Sequence, residues 1–304
     1  MPRIFPFVML IASASCLSLG IVVAKHLVGG IDPIVFLIVQ LGASLTFLWA
    51  VVIAQGASIG PLGNIAPLVG LGILIGVAAI CTIIALRLIN ASQASLIFAT
   101  QPALIVALAW PLLGEKPTVA VVVLSILALS GVAAVIGGMP LADNMSLAGS
   151  MTALLSTVIA ALYVVWMRKL TISHDPLKSL AIIQSTAWLV ALLALPFDNG
   201  FQEVLAAPMT AVAWLAVALS GFLQYGLGYW LYLIGLRKVR AGIAGLYLNL
   251  CPLFVIGLAY IFLGESLTLT QWAGAVAILF AVTVISLVDL FVPFDAPART
   301  MTGD

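Results

Sequence analysis

The chain has 304 residues, of which 64% are hydrophobic and only 7% charged, with a formal net charge of +1. Soluble domains are about 45–50% apolar and about 25% charged, so 11 basic and 10 acidic side chains cannot cover a soluble body of this length. The chain is therefore read as an integral membrane protein. The near-neutral balance, with no long basic run, excludes a nucleic-acid partner.

A bilayer core of ~30 Å needs about 20 mainly apolar residues per helix. Turn signals and charges divide the chain into ten such segments: 5–28, 33–55, 65–88, 91–113, 118–138, 147–170, 177–196, 208–235, 241–263 and 268–292. The first begins after Arg3 and continues through Val23, past the small-residue stretch ASASC, which marks an uncleaved span rather than a removed leader. The tenth is followed by a short tail over 293–304. With the N-terminus inside, nine basic residues fall on the inner side (Arg3, Lys116, Arg168, Lys169, Lys178, Arg237, Lys238, Arg240, Arg299) and only Lys25 and Arg87 outside. The excess of Lys and Arg in cytoplasmic loops then predicts that both termini are cytoplasmic.

The fourth and ninth segments carry an internal repeat. A shift of 150 positions lays 86–118 on 236–268 without a gap, with 12 identities in 33 positions. Among them are Arg87/Arg237, Pro102/Pro252, Gly114/Gly264, Glu115/Glu265 and Thr118/Thr268. A second echo pairs VAKHLVGGIDP (23–33) with WMRKLTISHDP (166–176). Each half thus holds five spans, 1–142 and 143–292. Five is odd, so the second half enters the membrane inverted, an arrangement used by secondary transporters with a midplane site between the halves.

The mid-helix prolines, the 5+5 arrangement and the terminal L-G-E-x-x-T together resemble the ten-helix EamA branch of the drug/metabolite transporter superfamily, over residues 5–292. The aromatic content of the later helices is similar to that of aromatic amino acid exporters in that branch. The resemblance implies a bacterial inner-membrane carrier that exports a small solute from a cavity lined by spans 1, 3, 4, 6, 8 and 9. Many relatives carry an arginine in span 2, where this chain has Gln40, so that arginine's role does not transfer.

From the residues themselves, span 8 places Tyr225, Tyr229 and Tyr232 at helical spacing beside Gln224 and Gly228. These form either a wet, solute-facing surface or an aromatic packing stripe. Span 6 adds Tyr163, with Trp166 as an interfacial anchor. Span 9 adds Tyr247 and Asn249 before Pro252, and span 4 adds Ser95, Thr100 and Gln101 before Pro102. Each proline frees a carbonyl near Phe98 or Leu248, which a nearby polar group either repairs or leaves for solute. Gly72 and Gly76 in span 3, and Gly242 and Gly245 in span 9, permit close helix contact.

Gly114 and Gly264 are expected as left-handed caps, with Thr118 and Thr268 as the N-caps of the next helices. Glu115 and Glu265 then precede those caps, next to water, in hinges at opposite membrane faces. All ten carboxylates lie at helix ends or in loops, and neither His26 nor His174 is central. This favours a neutral or zwitterionic solute, with amino acids as the leading class. A nucleotide-sugar or other phosphorylated-metabolite carrier of the same superfamily is the alternative. A membrane enzyme is disfavoured, because no HExxH, GxSxG or intramembrane acid cluster occurs. A scaffold role does not account for the repeat. Cys16, Cys81 and Cys251 have no metal-ligand spacing, and no cofactor motif is present. The partners expected are the solute and the lipid bilayer; the residues leave the oligomeric state open, a monomer being compatible with them.

Overall fold

Lipid offers the backbone no hydrogen-bond partner, so a spanning chain without a closed barrel has to be helical. In the computed structural model the described residues are 4–25, 32–55, 65–88, 97–98, 100–136, 147–171, 175–197, 210–251, 253–254, 257–258 and 269–291. Their regular elements are all helical. In chain order they are α1 (Phe5–Lys25), α2 (Pro33–Ala54), α3 (Ala66–Leu88), α4 (Gln101–Leu113) and α5 (Val119–Ile136), followed by α6 (Leu147–Thr171), α7 (Pro176–Ala194), α8 (Ala211–Leu236), α9 (Ala241–Tyr247) and α10 (Leu269–Phe291). Over their described residues, α2, α6, α7 and α8 are long and apolar enough to cross a bilayer. Ile53, Leu193, Val212 and Leu215 are more than two-thirds exposed on the outer surface, whereas Ser13, Ser18, Ser44 and Ser220 are fully buried. This polarity suits a lipid-facing exterior.

Local chemistry sets the helix ends. Both Asp-Pro pairs of the sequence echo start a helix in the same way. The Asp32 carboxylate accepts from the N–H groups of Ile34 (2.8 Å) and Val35 (3.2 Å), and Asp175 accepts from Leu177 (3.0 Å) and Lys178 (3.1 Å). The proline that follows occupies the first helical position, where no N–H is needed. Gly114 closes α4 at φ 70°, its N–H bonded to the Trp110 carbonyl at 2.9 Å. Thr118 Oγ1 then accepts from Val121 N at 3.3 Å to open α5.

Three spans depart from regular α-helix. Pro102 stands in the first turn of α4, not in mid-helix, with Thr100 as the N-cap. Span 4 breaks before its proline, where the missing N–H costs least. After Tyr247, α9 tightens to three-residue bonds: Leu248 N to Gly245 O, Asn249 N to Leu246 O and Cys251 N to Leu248 O. The third departure lies inside α8, where Phe222–Gly228 is π-helical.

The packing has a regularity of its own. α1 packs on α8 and α9, and α6 packs on α3 and α4. α2 packs on α8, and α7 packs on α3. The pairs α2–α7, α4–α9 and α5–α10 are also in contact. Replacing each helix by the one five places away turns this set of contacts into itself.

Glycines make the closest of these crossings possible. A Cβ at Gly221 would overlap the Gln40 backbone of α2, and one at Gly226 would lie 3.0 Å from the Phe47 ring. On α3, a Cβ at Gly72 would come within 2.6 Å of the Ile183 carbonyl, and one at Gly76 within 2.9 Å of Val190, both on α7. Gly70, on the same helix, faces open space. Gly221→Val should therefore cost about 2–3 kcal/mol or prevent folding, because backbone cannot yield as a side chain can. Gly70→Ala should stay within about 0.5 kcal/mol of the parent. Melting temperatures in detergent, with size-exclusion profiles, check both.

Candidate functional site

A π-helical turn widens the backbone and disturbs the regular pairing of carbonyls with amides, so neighbouring side chains have to repair it. Around α8 they do. Gln184 of α7 donates its Nε2 to the Tyr225 carbonyl, and its Oε1 accepts from Ser44 Oγ of α2. Gln40 Nε2 of α2 donates to Ser220 Oγ at 2.9 Å. Ser13 Oγ of α1 donates to the Gly228 carbonyl at 2.8 Å. Three helices are thereby stitched to the middle of α8 by neutral groups alone.

The Ser13 bond has a counterpart. Ser156 Oγ of α6 donates to the Ala78 carbonyl of α3, also at 2.8 Å. Ser156 follows Ser13 by 143 residues, the same shift that relates Asp175 to Asp32. Gly228 follows Ala78 by 150, the shift that relates the Gly-Glu segments.

Leu215 and Leu219 mark the lipid face of α8. Gly221 and Gly226 seat the helix on α2, while Gly228 and Gly235 seat it on Leu17 and Leu10 of α1. The arc between these rows, opposite the leucines, carries Gln224, Tyr225, Tyr229 and Tyr232. Tyr225 and Tyr229 lie parallel, with ring centroids 6.0 Å apart and 1° between planes. Tyr225 packs beside Leu41 and Trp188. Tyr163 of α6 is 2% exposed and close enough to Tyr229 and Tyr232 for the hydroxyls to interact electrostatically. The Tyr232 hydroxyl is buried without a hydrogen-bond partner among the described residues.

Other expected site residues serve packing or local bonding. Tyr247 is 2% exposed and stacks on Phe7 of α1 at 6.0 Å. Thr100 Oγ1 donates at 2.7 Å to the Ile97 carbonyl three residues back, which also accepts from Thr100 N. Gln101 is half-buried and Asn249 is 3% exposed. Ser95, Pro252, Gly264 and Glu265 lie outside the described residues, as do the side chains of Lys25 and Arg87.

The expectation for Glu115 is corrected. Its carboxylate does not serve the start of α5 but reaches the N-terminus of α9, where Oε2 accepts from Ala241 N at 2.9 Å. Oε1 lies 3.6 Å from Arg168 Nε, at the end of α6. Arg168 Nη1 in turn donates to the Arg237 carbonyl at 2.9 Å, at the C-terminus of α8. An anion thus sits on the positive end of one helix and a cation on the negative end of another. The two side chains are 13% and 6% exposed. This latch ties the α4–α5 turn to three helices of the second half. Sequence reading missed it because the three partners are far apart along the chain. The one available signal was a basic residue, Arg168, close enough to the apolar run of α6 to be buried with it.

Beside the latch a small recess opens to the surface, bounded by Glu115, Lys116, Val106 and Arg240. Burial holds the Glu115 proton to a higher pH than an ordinary glutamate, against the opposing pull of Ala241 N–H, Arg168 and Arg240. The closed latch therefore holds a proton up to a higher pH than an opened, hydrated carboxylate does. Its contribution is complete below the ordinary carboxylate pKa and is lost as pH rises through the raised one. Above the ordinary carboxylate pKa the melting temperature in detergent should fall as pH rises through the raised one, and Glu115→Gln, which mimics the protonated form, should flatten that slope. Arg168→Ala should cost about 3 kcal/mol, since it strands a buried carboxylate.

Comparison with known proteins fits this architecture. The profile of the EamA-like transporter family matches residues 4–137 and 147–287. An "uncharacterized transporter" of Haemophilus influenzae (strain ATCC 51907 / DSM 11121 / KW20 / Rd) is 30% identical over 128 residues, 41% of this chain and 72% of that protein. A solved crystal structure superposes with a TM-score of 0.79 at 21% identity, covering 92% of this chain and 98% of that one, a likeness of fold alone.

Proposed function

The chain belongs to the EamA-like transporter family, and from that premise we propose that it is a secondary transporter that exports neutral or zwitterionic amino acids, aromatic ones included, by alternating access. The family membership makes it a multi-pass membrane transporter of a small molecule. Substrate class, direction and mechanism go beyond that. The observation that carries the substrate class is the neutral interior around α8. There the lining is tyrosine, glutamine and serine, and the buried charged side chains among the described residues, Asp32 and Arg168, both stand at helix ends. A phosphorylated solute would need a cation at that depth. A zwitterion carries no net charge, and hydroxyl, carboxamide and ring groups suit both its polar head and an aromatic side chain.

Two observations support alternating access between inverted halves of 1–142 and 143–292. The helix contacts named above reproduce themselves when each helix is exchanged for the one five places on. The bonds Ser13–Gly228 and Ser156–Ala78 recur at the repeat's own shifts. Such a scaffold can close at either end by the same set of contacts. The latch stands at the end holding the start of α1, where Gly235 of α8 meets Pro6 and Leu10. Arg168, Lys116 and Arg240 gather at that end, and the positive-inside rule makes it cytoplasmic. The state described is then closed toward the cytoplasm of a bacterial inner-membrane protein with cytoplasmic termini.

Purified protein in liposomes should move labelled tryptophan and phenylalanine down an imposed gradient. Tyr229→Ala should lower the flux about tenfold, the effect of losing one contact worth ~1.4 kcal/mol, while the protein stays monodisperse. Movement of a nucleotide sugar with no neutral amino acid moved would replace this substrate class by the phosphorylated one.

A further inference from the structure

α3 and α8 occupy corresponding places in the packing, yet they differ by one residue at mid-height. On α3, Gly72 and Gly76 seat the helix against Ile183 and Val190 of α7. On α8, Gly221 and Gly226 seat it against Gln40 and Phe47 of α2. Gln40 and Phe47 become Ile183 and Val190 under the 143-residue shift, so the two pairs of seats are equivalent. Between its glycines α3 has three residues, Ile73, Leu74 and Ile75. α8 has four, Phe222, Leu223, Gln224 and Tyr225. One end of the stretch is held against the Gln40 backbone and the other against the Phe47 ring, so the extra residue is absorbed by widening, and the segment is π-helical. Inserted residues of this kind occur often at functional sites.

The insertion also brings polarity. The corresponding stretch of α3 is wholly aliphatic, whereas Gln224 puts a carboxamide at the midpoint of α8. Gly20 brings the α1 backbone against it, since a Cβ there would lie 2.7 Å from Gln224 Cβ. Gln224 is half-buried. Its carboxamide makes no hydrogen bond among the described residues, while Gln40 and Gln184 at similar depth are both bonded. An unpaired carboxamide at that depth is stable only against water or solute.

Resting on the transport reading above, we propose that this one-residue insertion is the solute-recognition element of the protein. Gln224 is its specificity-determining residue, reading an uncharged donor or acceptor on a planar ring that lies by Tyr225 and Tyr229. A carboxamide offers two donors and an acceptor and no charge, so it selects rings bearing N–H or O–H over plain hydrocarbon rings. Sites built to bond such a group discriminate strongly against analogues that lack it.

Two measurements test this. Gln224→Cys, made in the native background and with Cys16, Cys81 and Cys251 replaced by alanine, should react with a charged, membrane-impermeant thiosulfonate at least ~10-fold faster than Leu219→Cys on the lipid face. In liposomes, the ratio of flux efficiencies for tryptophan over phenylalanine should fall about tenfold in Gln224→Leu and partly recover in Gln224→Asn. An unreactive Gln224→Cys variant overturns the proposal, and so does an unchanged ratio in Gln224→Leu. If the thiol reacts but neither amino acid is moved by the parent protein, the amino-acid reading fails, while the exposure of Gln224 to the aqueous path is upheld.

Discussion

Every backbone group in hydrocarbon needs a partner inside the protein, and the irregular points of this chain are arranged around that demand. Where a helix stops, breaks or widens, a side chain from another element takes the stranded atom. Ser13 of α1 and Gln184 of α7 donate to the Gly228 and Tyr225 carbonyls of the π segment, and Ser18 Oγ lies 3.1 Å from the Cys251 carbonyl beside Pro252 as well as 2.7 Å from its own Ala14 carbonyl. Trp188 and Ser156 donate to the Ile38 and Ala78 carbonyls within the regular helices α2 and α3. Several of these bonds join one half of the chain to the other. Departures from regular helix thus become the points at which helices are tied together, and the ties can use small neutral groups because the atoms they serve are neutral too.

Charge follows a different rule. Ionised side chains at depth are costly, and this molecule keeps its buried ion pair where helix ends converge. Glu115 and Arg168 do not neutralise only each other. Each also meets the end of α9 or α8 whose partial charge opposes its own. Separating the α4–α5 turn from α6, α8 and α9 exposes all four partners at once, which gives this contact a cooperative character that one surface ion pair would lack.

Much of this was legible in the sequence. Span limits came within a few residues of α2, α3, α5, α6 and α10, because a bilayer fixes length and the flanking charges mark the ends. Gly114 and Thr118 were readable as caps since capping is local chemistry. The role of Glu115 was not, because its partners at Arg168 and Ala241 are assigned only by tertiary packing. Pro102 was misplaced for a related reason: sequence shows that a proline interrupts a helix but not which side of it carries the break. The π segment was hidden by the gapless shift of 150, which holds from Gly76/Gly226 onward but slips by one at Gly72/Gly221. Laying GILIG against GFLQYG would have revealed it.

Under the inverted-repeat reading proposed above, that slip bears on how such a molecule can diverge after duplication. With two equal halves, any substitution at the symmetric interface has to be tolerable in both settings. A chain built from two copies of the first half would keep its glycine seats and its serine-to-carbonyl ties, and at mid-height would present only Ile73, Leu74 and Ile75. It would be a complete scaffold with a blank wall. The added residue relieves one copy of its structural duty, so α3 is left to hold the shape while α8 is free to change its chemistry.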